Sequence, residues 1–268
     1  MKRILLVPAF MLLLSCRSLV LENRSVCPAL IYLDVEDTGG MGKSELLHVE
    51  LRDDSGRIMA SDSVSIHAMD REDYCLSVSK SDEVVASGVF TAPGCRRDGT
   101  LCMIPEGSDA CPLWRFRANA PGMEEEIHIP VRLTKEHSLF TVRFIAEDDV
   151  FPYYVTVTSS TAGLDVDSGH PVKGSFSYTP PERSPGEFIF TVPRQGDNSL
   201  CLEIYTRDPA DGGHVDDLLL CSLLDMVKGF SWEMDNLPDI ILDIDYARSK
   251  VTVTVSDWES GETYDYII

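Results

Sequence analysis

The sequence is short of positive charge and of long hydrophobic runs. Its 268 residues include 23 Lys and Arg against 44 Asp and Glu, a formal net charge of −21 at pH 7. Such a chain repels phosphate backbones, so we expect no nucleic acid among its partners. After residue 14 no apolar run approaches the ~20 residues of a membrane-spanning helix. We therefore expect that the mature chain does not cross a bilayer.

Sequence patterns of catalysis are also missing. The chain has no G-x-S-x-G, no H-E-x-x-H, no Walker loop and no dinucleotide-binding fingerprint. No two cysteines have the C-x₂-C spacing of a zinc site, and no histidine pair completes a zinc ligand set. We therefore predict that the protein is not an enzyme and that it binds neither a metal ion nor a cofactor.

The first residues have the pattern of an export signal. Two basic residues precede the apolar run Ile4–Leu14, and the small residue Ser15 stands before Cys16. We predict a signal peptide over residues 1–15. The stretch Leu13–Cys16 resembles the bacterial lipobox, which implies that Cys16 is acylated on sulfur and becomes the mature N-terminus. Several acyl chains, at about 0.8 kcal/mol per buried CH₂, hold a protein stably on a membrane.

Seven of the eight cysteines follow this candidate lipobox, so at most three disulfides form and one thiol stays free. An exported protein can form such bridges. One possible disulfide lies among Cys95, Cys102 and Cys111 in a loop rich in Gly and Pro, and another joins Cys201 to Cys221. The spacing leaves the connectivity open.

Alternation of apolar and polar residues with a period of two recurs along the chain and predicts β-strands. On the strand that contains Pro130, this residue has the opposite parity to the apolar positions, which indicates a sheet edge or a bulge. About fourteen strands are predicted in this way. They are Leu30–Val35, Leu47–Leu51, Val64–Ala68, Tyr74–Val78, Val84–Thr91, Glu126–Leu133, Leu139–Ala146, Tyr153–Ser159, Gly174–Tyr178, Glu187–Val192, Leu200–Thr206, Ile240–Asp245, Lys250–Asp257 and Thr263–Ile268.

One segment has helical spacing instead. The apolar residues of Val215–Phe230 recur at intervals of three and four, and Gly229 is a plausible C-cap, so we predict a short helix there. Many short strands with at most one short helix indicate an all-β protein built from sandwiches. We place an N-terminal β-sandwich domain at residues 16–136 and a C-terminal one at 137–268, with the turn-rich loop Ala92–Met123 inside the first.

Several short stretches, spread over most of the chain, share their pattern with a known family. They are Cys16 with Cys27-Pro28, Ile31–Val35, Cys111–Trp114, Ile127–Leu133, Ile240–Trp258 and Tyr264–Ile268. Together they resemble the fimbrillin-associated anchor proteins of type V pili in anaerobic Gram-negative bacteria. The many cysteines around Cys95–Cys111 and a short front half of the first domain depart from that pattern.

The resemblance implies two tandem transthyretin-like, Greek-key sandwiches on a surface-facing outer-membrane lipoprotein, attached through the lipid on Cys16. It also implies a role in anchoring the pilus and limiting fibre length, with fimbrillin-type stalk subunits as partners. Subunits of this kind join by β-strand exchange, in which main-chain hydrogen bonds supply affinity. The C-terminal strand is the candidate for exchange, or alternatively completes its own sheet. Its residues are Thr263, Tyr264, Asp265, Tyr266, Ile267 and Ile268.

Two other functions stay open. A cell-surface lipoprotein that binds glycans or another ligand would expose aromatic side chains on one concave face, with Tyr153, Tyr154, Trp232 and Trp258 as candidates. A surface hydrolase would need a convergent carboxylate pair or a nucleophile with a base, and the spacing shows neither.

Overall fold

The structure is a computed structural model, and it describes residues 27–37, 46–69, 74–91, 96–145, 151–207, 213–245, 250–256 and 263–267. These residues form two β-sandwiches in tandem. None of the helices in the described ranges is long and apolar enough to cross a membrane.

The described residues in the first half of the chain form short strands and one helical turn. In chain order they are β1 (Ala29–Asp37), β2 (Leu46–Asp53), β3 (Ile58–Ser65), α1 (Ile66–Met69), β4 (Leu76–Val78), β5 (Glu83–Thr91), β6 (Arg96–Asp98), β7 (Leu101–Met103), β8 (Leu113–Pro121), β9 (Glu126–Arg132) and β10 (Thr134–Lys135).

The second half has the same character. Its elements are β11 (His137–Phe144), β12 (Tyr153–Asp165), β13 (Pro171–Tyr178), β14 (Glu182–Ser184), β15 (Glu187–Pro193), β16 (Cys201–Thr206), β17 (His214–Leu219), α2 (Leu220–Leu224), β18 (Asp239–Asp245), β19 (Lys250–Ser256) and β20 (Thr263–Ile267).

The first sandwich packs a sheet of order β4-β1-β9 against one of order β10-β8-β5-β2-β3. On β9 every second side chain is buried, because one face of the strand meets the core and the other meets water. The core between the sheets includes Ile31, Leu47, Phe90, Phe116 and Ile129. Burial of such side chains, at about 25 cal/mol per Å² of apolar surface, is the main force that holds the two sheets together.

The second sandwich packs a sheet of order β14-β15-β11-β18-β19-β20 against one of order β17-β16-β12-β7-β6, with β13 also paired to β12. Its core contains a group of phenylalanine rings, among which Phe140 and Phe190 stack with centroids 5.5 Å apart. The two sandwiches share one topological feature, since in each of them one strand lies parallel to a later strand. These parallel pairs are β1 with β9 and β11 with β18.

A hairpin from the first half of the chain belongs to the second sandwich. β6 and β7 pair with each other, and β7 pairs antiparallel with β12 through Met103↔Gly163 and Leu101↔Asp165. Ile104 and Ala110, which follow this hairpin, are buried in the core of the second sandwich. The chain therefore enters the second sandwich at β6 and β7 and returns to the first sandwich for β8, β9 and β10. It crosses to the second sandwich again between Lys135 and His137.

The structure confirms the all-β class and the sandwich architecture. It also confirms that Pro130 lies on an edge strand, since β9 ends its sheet. The predicted loop Ala92–Met123 is wrong over much of its length, because β6, β7 and the whole of β8 lie there. The sequence of β8 contains Arg, Asn and Ala between two prolines, and its burial alternates only loosely, so the period-two signal was weak.

The helical prediction for Val215–Phe230 is correct only at Leu220–Leu224, because the residues before it form β17. Pairing with β16, which spacing along the chain does not reveal, decides that conformation. A second helical turn, α1, replaces the end of the predicted strand Val64–Ala68. Its first turn is capped by Ser65, whose Oγ accepts a hydrogen bond from the backbone N–H of Ala68 at 3.2 Å.

Candidate functional site: open strand edges and the sandwich junction

Most edge strands in the described sheets are protected against pairing with another chain. Short edges and proline limit the number of backbone groups that an incoming strand can pair with. β4, β6 and β14 have three residues each, β10 has two, and β9 carries Pro130 in the middle of the strand. These edges are poor docking sites.

The edge strand β17 has a different character. It spans six residues, pairs with β16 on one side, and has no ladder partner on the other side within the described residues. Val215 and Leu219 are 49% and 53% exposed, although both are apolar. Asp216 and Asp217 lie between them and are exposed. Like charges that face each other across strands repel, so this edge disfavours pairing with a copy of itself.

The C-terminal strand completes its own sheet, which was one of the two alternatives for Thr263–Ile268. β20 pairs antiparallel with β19 from Thr252↔Ile267 to Ser256↔Thr263. β20 stands at the end of its sheet. Ile268 lies outside the described residues.

The junction of the two sandwiches is built around a buried carboxylate. Glu136 is fully buried, and its Oε1 accepts a hydrogen bond from Arg115 Nε at 2.5 Å. Its Oε2 accepts one from Arg194 Nε. Arg115 belongs to β8 of the first sandwich, whereas Arg194 directly follows β15 of the second. One side chain therefore ties both sandwiches together by two charge-assisted hydrogen bonds.

A second ion pair lies beside this carboxylate. Lys135 is buried, and its Nζ lies 2.5 Å from Asp239 Oδ1 on β18. The same oxygen accepts the backbone N–H of Leu139 at 2.8 Å. The polar stretch Thr134–His137, which the sequence places at a domain boundary, is therefore a buried connection between the sandwiches.

His137 completes the connection and is held neutral. Its Nδ1 lies 3.0 Å from the backbone N of Leu113, and its ring packs edge-on against Trp114 at 4.5 Å. Burial lowers the pKa of His137 to about 4, and the nearby Lys135 ammonium acts in the same direction. The imidazole therefore stays uncharged in the folded protein at neutral pH.

Because His137 is buried and neutral, we predict that the free energy of unfolding decreases in mild acid. In the unfolded chain its pKa is about 6.5. As pH falls from 7 to 5 the unfolded chain takes up a proton that the folded protein excludes. We expect the free energy of unfolding to fall by about 2 kcal/mol from this residue over that range. Urea unfolding at the two pH values should show His137→Gln losing this dependence. The same pH dependence in wild type and in His137→Gln would contradict the assignment.

A small hydrophobic cluster locks the β6–β7 hairpin to both sandwiches. It joins Cys102 on β7 to Val89 and Leu113 on one side and to Leu164 and Val166 on the other. Burial raises the pKa of the Cys102 thiol to about 11, so it stays protonated at neutral pH and is a weak nucleophile.

The predicted disulfides involve residues at two places. Cys102 and Cys111 are both buried near this junction, whereas Cys95, like the candidate lipidation residue Cys16, lies outside the described residues. Cys201 on β16 and Cys221 on α2 are free thiols in the structure. Burial raises the pKa of both, which favours the protonated thiol. The pairing of the cysteines therefore stays a prediction.

The four aromatic candidates for a ligand surface do not form one face. Tyr153 and Tyr154 are neighbours on β12, so their side chains leave opposite faces of the sheet. Tyr154 is 38% exposed and stacks on Tyr205, with ring centroids 5.2 Å apart. Trp232 is half-buried and packs against the second core, and Trp258 lies outside the described residues.

The sequence did not single out Arg115 or Arg194, and it marked Glu136 only as the domain boundary. Charged residues in a polar stretch between two strands are usually solvated, and nothing in the spacing indicates that these three meet. Their separations along the chain, 21 residues from Arg115 to Glu136 and 58 from Glu136 to Arg194, place the contact beyond any local pattern.

No protein-family model matches the chain, and no curated protein matches it. Solved structures do share its fold. The fimbrial anchor protein Mfa2 from Porphyromonas gingivalis superposes with a TM-score of 0.60 at 14% identity, over 90% of this chain and 99% of that one. A candidate polysaccharide-binding protein from Bacteroides thetaiotaomicron gives 0.63 at 13% identity, over 90% and 98%. A candidate adhesin from the same organism gives 0.57 at 11% identity, over 87% and 97%.

At these identities the comparisons establish a common fold. The match extends over nearly the full length of each neighbour, so both sandwiches and their order along the chain are shared. This confirms the fold that the resemblance in the sequence implied.

Proposed function

We propose that this protein is a lipid-anchored structural subunit that holds a type V pilus at the outer membrane and limits the length of the fibre. The observation that carries the proposal is the tandem-sandwich fold, which the chain shares with a fimbrial anchor protein. The stalk partner is a fimbrillin-type subunit, and the chain recruits it through β-strand exchange rather than by catalysis.

The described edges support a role in strand pairing. β17 and β20 both end their sheets and are five or six residues long, so each presents a row of backbone groups. Backbone pairing supplies affinity whatever the side chains are, and side chains set the register. The acidic pair Asp216 and Asp217 makes β17 selective, because it repels another acidic edge and attracts a basic one.

The rigid junction supports a role in bearing load. Glu136 links Arg115 of the first sandwich to Arg194 of the second, and the β6–β7 hairpin crosses between them. Two sandwiches fixed in this way transmit a pull from one end of the chain to the other without a hinge.

Cys16 is the proposed attachment point. Cys27, the first described residue, lies eleven positions after it and is exposed. A chain of that length reaches at most about 40 Å. The body has a surplus of acidic residues, so it is repelled by anionic lipid head groups and stands off the membrane on this tether.

Replacing the lipidation residue tests both parts of the proposal. In Cys16→Ala we expect the protein to leave the membrane fraction and its intact mass to lose the acyl chains, because the lipid on Cys16 is the proposed anchor. In the native host we expect the fibres to be shed into the medium and to be longer than in wild type, as electron microscopy would show.

Cys27→Ala is the matched control, since it removes a thiol from the same end of the chain and should leave membrane attachment and fibres unchanged. A Cys16→Ala protein that stays on the membrane would refute the lipid anchor. Normal, cell-attached fibres in a strain whose Cys16→Ala protein has left the membrane would refute the pilus role.

A further inference from the structure

A cleft opens beside the junction of the two sandwiches. Its volume is about 550 Å³, within the usual range of ligand sites. Most of its wall comes from the second sandwich, namely the turns 168–173 and 194–197 and the loop 232–235, while Arg115 and Thr134 come from the first. Ligand sites occur preferentially at such interfaces between domains.

The polar groups of the cleft are fixed before any ligand arrives. Gln195 accepts a hydrogen bond from Ser159 Oγ at 2.5 Å and donates its Nε2 to the carbonyl of Pro193 at 2.7 Å. Asp197 accepts hydrogen bonds from Ser160 Oγ at 2.5 Å and from the backbone of Ser199 at 3.0 Å. The hydrogen bond from Ser160 is the main cause that lowers the pKa of Asp197, so this carboxylate is ionised at neutral pH. Side chains held in this way lose little entropy on binding.

Arg115 projects its guanidinium over a glycine. A Cβ added at Gly169 would collide with Arg115 Nη2, so only glycine lets the guanidinium lie against the turn. Arg115 Nε is used by Glu136, whereas its Nη2 lies against Gly169 in the cleft wall. The backbone of Gly169 has φ +71°, a conformation that glycine adopts without strain.

The charge of the lining differs from that of the rest of the protein. It carries three basic and four acidic side chains, whereas the whole chain has 23 and 44. Because the wall carries both signs of charge, part of it would repel a ligand that has a net positive or negative charge. A hydroxyl both donates and accepts, so it matches guanidinium, amide and carboxylate alike. Trp232 adds an aromatic, apolar surface to the same wall.

We propose that this cleft binds a neutral saccharide, with the C–H face of a sugar ring against Trp232 and hydroxyl groups on Arg115, Gln195 and Asp197. The site goes beyond the anchoring role and does not depend on it, because neither Cys16 nor the strand edges contribute to it.

The test uses the full chain in a detergent without a sugar head group. Saturation-transfer NMR with glucose, galactose, mannose and N-acetylglucosamine, each at about 10 mM, should detect binding with a Kd of about 1 mM for at least one of them. Glucuronic acid and glucosamine, the charged counterparts, should bind about tenfold more weakly. Hydrogen exchange with the bound sugar should slow in the turns 168–173 and 194–197.

Gly169→Ala should abolish binding, because the methyl group displaces Arg115 into the cleft. Gly107→Ala is the matched control, since Gly107 also has a positive φ, of +74°, but has nothing within 4 Å of an added Cβ. The hydrogen-exchange result on the wild type does not depend on either variant. No binding by any of the neutral sugars, protection elsewhere in the chain, preference for a charged sugar, or unchanged binding in a folded Gly169→Ala protein would each overturn the proposal.

Discussion

Glu136→Gln should lower the free energy of unfolding by about 3 kcal/mol. The substitution keeps the shape of the side chain but removes the charge between Arg115 and Arg194, and it turns one of the two acceptor oxygens into a donor. Removing one partner of a buried ion pair typically costs about 3–5 kcal/mol, because the other charge remains buried without compensation. Part of Arg115 is solvent-accessible, which places the expected loss at the lower end.

Urea unfolding followed by tryptophan fluorescence measures this loss, since Trp114 and Trp232 both lie near the junction. Glu187 on β15 supplies the matched control, because its ion pair with Arg143 is longer, 3.7 Å, and more exposed to solvent than the pairs of Glu136. Glu187→Gln should change stability by less than about 1 kcal/mol. If the two variants have the same stability, the junction carboxylate does not hold the sandwiches together.

Gly163→Ala should release the β6–β7 hairpin from the second sandwich. Gly163 on β12 faces the backbone of β7, and an added Cβ would overlap the carbonyl oxygen of Cys102 and lie 3.1 Å from Met103 Cα. Because the obstacle is backbone, no side-chain rotation relieves it, so the strands must separate. We expect a loss of about 3 kcal/mol, at the upper end for overpacking of a core.

Hydrogen exchange identifies which strands lose stability in the variant. Amides of β7 and of Gly163–Asp165 should exchange faster in Gly163→Ala, whereas those of β1 and β9, in the other sheet of the first sandwich, should not change. Gly107→Ala, in the turn after this hairpin, adds the same methyl group in open space and should cost only about 1 kcal/mol from its positive φ. Unchanged protection of β7 in Gly163→Ala would show that the hairpin does not depend on this close approach.

The parts of the fold that could be predicted are the strands in which buried and exposed residues alternate along the sequence. β9, β11, β18 and β19 alternate between core and solvent, so their period of two is visible in the residues themselves. Two sandwiches followed from the number of such strands and the near absence of helix.

The hairpin and the edge strand could not be predicted because neither has a pattern of its own. β6 is Arg96–Asp98, three charged residues that form a strand only because β7 and β12 are already in place. The apolar residues of β17 fit the helical spacing of the longer segment Val215–Phe230, yet the strand forms through pairing with β16. In both cases contacts distant along the chain outweigh local preference.

The same reasoning explains why the residues of the candidate site could not be predicted from the sequence. Strand pairing as a mode of binding followed from the resemblance, and the sequence left the fate of Thr263–Ile268 open. Glu136, Arg115 and Gly169 matter only because the fold brings them together, and each is ordinary in its own neighbourhood. A glycine in an acidic turn gives no sign that an arginine lies on it.

The position of β1 determines how the protein responds to tension. A force applied through the segment before Cys27 enters the fold at Ala29, the first residue of β1. That strand is central in its sheet, antiparallel to β4 on one flank and parallel to β9 on the other from Leu30 to Val35. The force therefore acts along the strand and shears both ladders together, whereas an edge strand could peel away one hydrogen bond at a time. Such a geometry resists rupture under a force applied at this end of the chain.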